Sequence, residues 1–298
     1  MGEHRSQDQA FEANLAMWDE MTGVHLTSDF YDVDGFIEGG LTLHGFEPGE
    51  LGSVRDCSLI HLQCHLGLDS MSWARLGAQV TGLDFSPAAV AAASDIARTT
   101  GLDATFVEGN VYDAPKLAPG PFDVVYTGLG ALNWLPDLSR WASVVSSLLK
   151  PGGRFYLLEF HPLLSMLSDV AIELDPSQPY FHDPSGSEIE DDRDYADGDA
   201  RLANATSIEW AHPLSEVIGS LLDEGLELKM FHEHDIIAFR PWPFLEQIEP
   251  GVQRFRIPDG LPKIPLEYSL LVTKPVEGPP ARRSPARSSR ASSRSHLA

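Results

Sequence analysis

Cysteine is nearly absent from this 298-residue chain: only Cys57 and Cys64 occur, beside or within one apolar run. A disulfide framework is therefore excluded as the organising device, and a reducing, cytoplasmic setting is expected. Basic residues are also scarce, 21 Lys and Arg against 44 Asp and Glu, for a formal charge of -23. Such a surface repels phosphate backbones and anionic lipid, so neither nucleic acid nor a membrane is expected as partner. No apolar run reaches membrane-spanning length, and the start, "MGEHRSQDQA", lacks an apolar signal core. Gly2 and Ser6 fit the loose myristoylation pattern, but nothing polybasic follows. Oligomeric state is unreadable.

The few basic residues are unevenly placed. Five Arg fall in "GPPARRSPARSSRASSRSHLA", which has no acid, so residues 276–298 are expected to form a disordered tail. Before it lie a helical cover at 1–50 and one domain at 51–275. In "QAFEANLAMWDEM", Phe11, Leu15 and Trp18 have helical spacing, and "SDFYDVDGFIEGG" follows as a link. Strands and helices then alternate. "SLIHLQ", "AQVTGLD", "DATFVEGN", "PFDVVYTG" and "RFYLLEF" read as five strands. Ser86, Pro87 and Gly101 bracket one helix as N-cap, first-turn proline and C-cap. This is an α/β pattern: a doubly wound, Rossmann-like, mostly parallel sheet with helices on both faces. After the fifth strand, residues 162–206 show no helical pattern and read as a substrate-side insertion. "TSIEWAH" resumes as a strand and a helix follows; the final pair, "ELKMFHEHD" and "IPLEYSLLVTK", suggests an antiparallel edge to a seven-stranded sheet.

Glycine is missing where it is most expected. The first strand runs into Gln63-Cys64-His65-Leu66-Gly67, a cofactor-type turn with one glycine. Backbone N–H groups of such a turn face a ligand above the strand end, and glycine permits close approach. Asp84, ending the second strand, suits ribose hydroxyls.

The chain resembles the class I S-adenosylmethionine-dependent methyltransferases over roughly residues 10–275. "HLQCHLGLDSMSWARLGAQVTGLDFSPAAV" resembles the family's first motif and acidic loop, and "VEGNVYDAP" its adenine-contacting loop. "FDVVYTGLGALNWLPD" and "LLKPGGRFYLLEFHP" resemble the two segments that follow. The family usually has an acid and then spaced glycines where this chain has His61, Gln63, Cys64, His65, Leu66 and Gly67, so the turn is a Gln-Cys-His variant. The resemblance implies S-adenosylmethionine as cofactor. Its site would comprise Gln63, Cys64, His65 and Gly67; Asp84, Phe85 and Ser86; Asn110, Val111 and Tyr112; Thr127 and Gly128; and Tyr31 from the cover. Trp18, Asn133, Trp134 and Tyr180 would line the acceptor pocket.

Two histidines directly after predicted strands, His161 and His212, are the expected proton acceptors. Two clusters invite a metal reading: "HLQCH" with His61, Cys64 and His65, and "FHEHD" with His232 and His234. Structural roles are preferred for both, and no metal is expected. "TGLGALNW" replaces the signature of DNA-base amino methylation. The expected activity is methyl transfer to a small molecule, with the acceptor atom open between oxygen, nitrogen and carbon. Protein or RNA methylation, and cofactor binding without catalysis, are the alternatives.

Overall fold

The computed structural model describes residues 6–167, 179–249 and 253–276. The strands are β1 Ser58–Leu62, β2 Gln79–Asp84, β3 Ala104–Glu108, β4 Phe122–Thr127, β5 Leu149–Phe160, β6 Ser187–Glu190, β7 Thr206–Glu209, β8 Glu227–His234, β9 Ile236–Ile237, β10 Glu246–Gln247, β11 Phe255–Arg256 and β12 Glu267–Thr273. The α-helices are α1 Gln7–His25, α2 Val33–Ile37, α3 Glu47–Leu51, α4 Leu68–Arg75, α5 Pro87–Thr100, α6 Ala114–Leu117, α7 Leu138–Leu148 and α8 Leu214–Asp223. Seven strands form one sheet in the order β3-β2-β1-β4-β5-β12-β8. The first five are mutually parallel, and β12 runs antiparallel to both β5 and β8. No helix among the described residues is long and apolar enough to cross a membrane.

Strand alternation builds the two faces. Ile60 and Leu62 of β1, with Phe155 and Leu157 of β5, point to one side and pack under α7 and α8 around Trp141 and Val217. Leu59, Val124, Tyr126 and Tyr156 point to the other, against Leu51 and Trp73. The centre of the sheet is covered on both faces, so its strands read as apolar runs. Trp141 is wholly buried, and its loss to Ala is worth about 3–5 kcal/mol.

Local signals act where expected. Ser86 accepts the Ala89 N–H at 3.0 Å, and Gly101 ends α5 at φ 64°. In α1, Ser6 and Gln9 form a reciprocal capping box. Its buried line is Ala10, Asn14, Met17 and Met21, which leaves Phe11, Leu15 and Trp18 half-buried on the flank. The aromatic link is not all loop, because Asp32 caps the short α2. The insertion contains the hairpin β6–β7, a sheet of its own, so "TSIEWAH" does not join the main sheet. Between β8 and β12, β9, β10 and β11 form a third small sheet. Residues 277–298 of the expected tail, 168–178 of the insertion and Gly2 lie outside the described residues.

The N-terminal helix and the insertion are joined to each other. The buried Asn14 side chain donates to the Ile208 carbonyl and accepts its N–H, both at 2.8 Å, completing one edge of β7. Glu20 accepts the Ala203 and Asn204 amides, and these bonds hold its carboxyl below the usual range.

Candidate active site

The turn after β1 takes left-handed backbone at alternate residues: Gln63 at φ 59°, His65 at φ 48° and Gly67 at φ 67°. A side chain there costs on the order of 1–2 kcal/mol. The path is therefore one that glycines would follow, held here with Gln and His in two of three places. Gly67 admits no alternative, since a Cβ would come within 2.4 Å of the Phe106 ring. Asp84 is part of what holds the turn. Its Oδ2 accepts the His65 N–H at 2.7 Å, and its Oδ1 the Ser86 N–H at 2.9 Å. Burial pushes its carboxyl up to about 6 against those bonds.

Two cavities meet at this turn. One of about 1030 Å³ is walled by the turn, the loops after β4 and β5, and aromatic residues of the cover. The other, about 110 Å³, is lined by Asp84, Phe85, Asn110, Val111 and Trp134. Trp18, Tyr31, Gln63, His65, Trp134 and Tyr195 border both. Asn133, Gly128, Cys64, Gly67, His161 and His212 border the larger.

Four expected residues border neither cavity. Ser86 is buried as the α5 cap, and Thr127 is buried at the end of β4. Tyr112 is buried in the core beside α7: its hydroxyl donates to the Asp137 carbonyl, and Arg140 lies 4.2 Å from its ring centroid. Tyr180 pairs with Phe181 at a ring distance of 5.3 Å.

The two expected bases have committed ring nitrogens. His161 Nδ1 accepts the Leu163 N–H at 3.2 Å, so a neutral ring carries its proton on Nε2, 3.2 Å from Glu233. Burial depresses its pKa, with Glu233 opposing. His212 Nε2 donates to the Leu135 carbonyl at 2.8 Å, and its Nδ1 faces Glu216 at 3.1 Å. Neither ring offers an open lone pair to the cavity.

Sequence reasoning missed several residues. His65 Nε2 lies 2.7 Å from His25 Nδ1, and His25 Nε2 lies 3.0 Å from Asp194, an ion-pair contact bent away from a linear hydrogen bond. The second ring nitrogen of His65 has no hydrogen-bond partner among the described residues. Burial, then the neighbouring His25, depresses its pKa well below the usual histidine value. Burial works against the Asp194 charge, but the contact with His25, then two amides, leaves its pKa lowered. Asp19 of α1 accepts from the Ser86 hydroxyl and the Ala88 N–H, tying the cover to the acidic loop. Glu159 accepts the amides of Gly130, Ala131 and Leu132, fixing the loop after β4, although burial raises its pKa. Glu47 is pushed up to about 8 by burial and then by Asp69, while accepting from Tyr126 and the His44 N–H. Only Glu159, near the end of a strand beside the crevice, carried a positional signal; the others come together through the folding of the cover and the insertion over the sheet.

The two clusters first weighed as metal sites separate. His61 bonds Ser70 at 2.8 Å, and burial lowers its pKa to about 3. His232 pairs with Glu50, while His234 pairs with Ser269 and stacks on Phe46.

The chemistry of the donors fits a nucleoside carrying an amino acid. An acid borders the small cavity, and the buried Gln63 Oε1, bordering both, has no partner while its Nε2 donates to Ala131. A carboxylate oxygen has two lone pairs, so Asp84 retains capacity for hydroxyl donors.

Residues 60–155 match the family model described as a methyltransferase domain. A ubiquinone biosynthesis O-methyltransferase of Xanthomonas euvesicatoria pv. vesicatoria (strain 85-10) is 33% identical over 138 residues, covering 44% of this chain and 56% of that protein. One from Proteus mirabilis (strain HI4320) is 29% identical over 157 residues, covering 47% and 64%. The chain thus spans little more than half the length of these curated relatives. Among solved structures, a methyltransferase from Methanosarcina mazei superposes with a TM-score of 0.52 at 20% identity, covering 80% of this chain and all of that one. A Listeria monocytogenes protein does so at 0.51 and 19%, covering 76% and 93%.

Proposed function

We propose that this chain, whose residues 60–155 match a methyltransferase-domain model, transfers a methyl group from S-adenosylmethionine to a hydroxyl of a small molecule held in the larger cavity. The observation that carries this reading is the Asp84–His65 contact at the junction of two cavities, one small and acidic, the other large and aromatic. Oxygen as the acceptor is supported by what the curated relatives are named for. A small acceptor suits a pocket roofed by α1 and the insertion, and a chain of charge -23.

When bound, S-adenosylmethionine supplies a methyl group already activated by its positive sulfur. The protein's tasks are to align the acceptor, exclude water and take up the hydroxyl proton. Asp84 would receive the ribose hydroxyls, and Gln63 Oε1 the ammonium. Trp18 and Trp134, meeting edge to face at 5.4 Å, would wall the acceptor from solvent. For the proton we assign His65 in place of His161 or His212, because its second nitrogen is uncommitted. A proton taken there is balanced by release of the Nε2 proton to His25, whose cation then sits beside Asp194.

The test is transfer of labelled methyl from S-adenosylmethionine to a panel of phenols and catechols, with protein and RNA fractions alongside. Label in a phenol supports the reading. Label in protein or RNA moves the acceptor class. Cofactor binding with no transfer anywhere would leave a binding protein.

A further inference from the structure

One cluster of metal-ligating side chains has no part in that reaction. His212 follows β7, Glu216 lies in the first turn of α8, and His182 sits in the insertion ahead of β6. The His212 Nε2–H donates to the Leu135 carbonyl at 2.8 Å, which leaves the lone pair of a neutral ring on Nδ1. That lone pair faces Glu216 Oε2 at 3.1 Å. Two acceptors this close repel unless something positive lies between them. Beside them the His182 ring stacks on His212, with centroids 5.1 Å apart and planes 16° apart, and its Nδ1 is buried without a partner. One ligand atom from each of the three residues lies within 4.8 Å of the others.

A proton on His212 would answer the contact with Glu216 alone. It would leave the His182 nitrogen buried and unpartnered, now beside a cation. A divalent ion answers all three features at once. We propose that His182, His212 and Glu216 form a site for a zinc-class divalent ion, completed by water, that clips the insertion to the start of α8. Two imidazoles and one carboxylate are a donor set that favours zinc, cobalt or nickel over magnesium or calcium. Zinc ligands stand about 2.0–2.2 Å from the metal, so in a tetrahedral site two of them are roughly 3.4 Å apart. The His212–Glu216 pair at 3.1 Å already meets that spacing, and closing from a spread of up to 4.8 Å takes a shift of roughly 1.4 Å by the loop-borne His182. The Leu135 carbonyl then plays the usual part of an outer partner, fixing which nitrogen of His212 faces the metal. The role is structural, and no step of methyl transfer runs through the ion.

The full chain, stripped with EDTA and dialysed, would be titrated with zinc chloride alone by calorimetry. Cobalt(II) would serve as a spectroscopic probe of the same site. We expect one equivalent bound, a cobalt d–d spectrum of low-coordinate N/O type, and slower proteolysis within 179–213 on loading. His182→Ala and Glu216→Gln should each weaken uptake on the order of 100-fold. Circular dichroism would establish that both variants fold, and the wild-type cobalt spectrum requires neither. The proposal is overturned by the absence of stoichiometric uptake in the wild type, as expected if a lone proton bridges His212 and Glu216. Uptake that both substitutions leave unchanged overturns it equally.

Discussion

Replacing Asp84 by Asn tests the cofactor site at its most constrained point. The carboxylate receives two backbone amides, from His65 at 2.7 Å and Ser86 at 2.9 Å. It is held in an environment that lifts its pKa from 3.8 to about 6. Keeping that charge at neutral pH costs roughly 3 kcal/mol, at about 1.4 kcal/mol per pKa unit. Asn removes this cost but turns one amino group toward a backbone N–H, leaving a buried donor unmet at about 1–3 kcal/mol. The two terms nearly cancel, so the variant should melt within a few degrees of the wild type. Binding has no such compensation. Loss of a charged acceptor for ribose hydroxyls should weaken S-adenosylhomocysteine by about 1.5–3 kcal/mol, roughly 10- to 150-fold. The pH dependence carries the sign. A ligand that donates to the carboxylate favours its ionised form and lowers its pKa, so wild-type affinity is full above pH 6 and falls as pH drops through about 6. The Asn variant should lack that step. Calorimetry from pH 5 to 8 with both proteins is the assay. Unchanged affinity in a folded variant, or a wild-type profile with no step near pH 6, would refute the assignment.

His65→Gly should preserve the left-handed turn and cofactor affinity, while slowing turnover on a hydroxyl acceptor by about 10²–10⁴-fold; wild-type turnover would remove His65 as proton acceptor. His161→Gln should leave turnover within about threefold from pH 6 to 9, since its Nδ1 is already engaged, and a large loss would restore it as the base. Glu159→Gln keeps one acceptor oxygen for the amides of Gly130, Ala131, Leu132 and Phe160, so scanning calorimetry should show a loss of about 2–4 kcal/mol. The small cavity, about 110 Å³, is below the roughly 300 Å³ of a usual ligand site. Cofactor entry should therefore displace the cover, and hydrogen exchange in residues 10–35 and 187–206 should change when S-adenosylhomocysteine binds; equal exchange would count against a moving cover.

The frame of the fold was legible because its signals are local. Ser86, Pro87 and Gly101 announce α5 without reference to the rest of the chain, and apolar runs announce strands buried on both faces. The place of Asp84 beside the small cavity was legible because the strand order puts the second strand end at the crevice. The insertion was legible as a break in the pattern and β7 as a strand, but β6 and the partners of β7 were not, because β6 is short and largely exposed and β7 is held by Asn14 of α1, nearly two hundred residues away. The relay from Asp194 through His25 to His65 draws on three separate segments, so no spacing in the sequence could announce it. His161 and His212 sit after strands as expected, but the sequence does not show that Leu163, Leu135 and Glu216 engage their nitrogens.

The left-handed residues at 63, 65 and 67 bear on how such a site changes over generations. The course of the chain there is set by Asp84 and Gly67, and not by glycine at every step. Gln63 and His65 can drift to glycine, or return from it, at about 1 kcal/mol each without refolding the loop. What the contacts of Asp84 and Gly67 fix at this turn is thus a backbone shape, while two of its side chains are free to differ. A histidine placed there by a short mutational path brings a titratable nitrogen to the edge of the reaction space, with the scaffold unaltered.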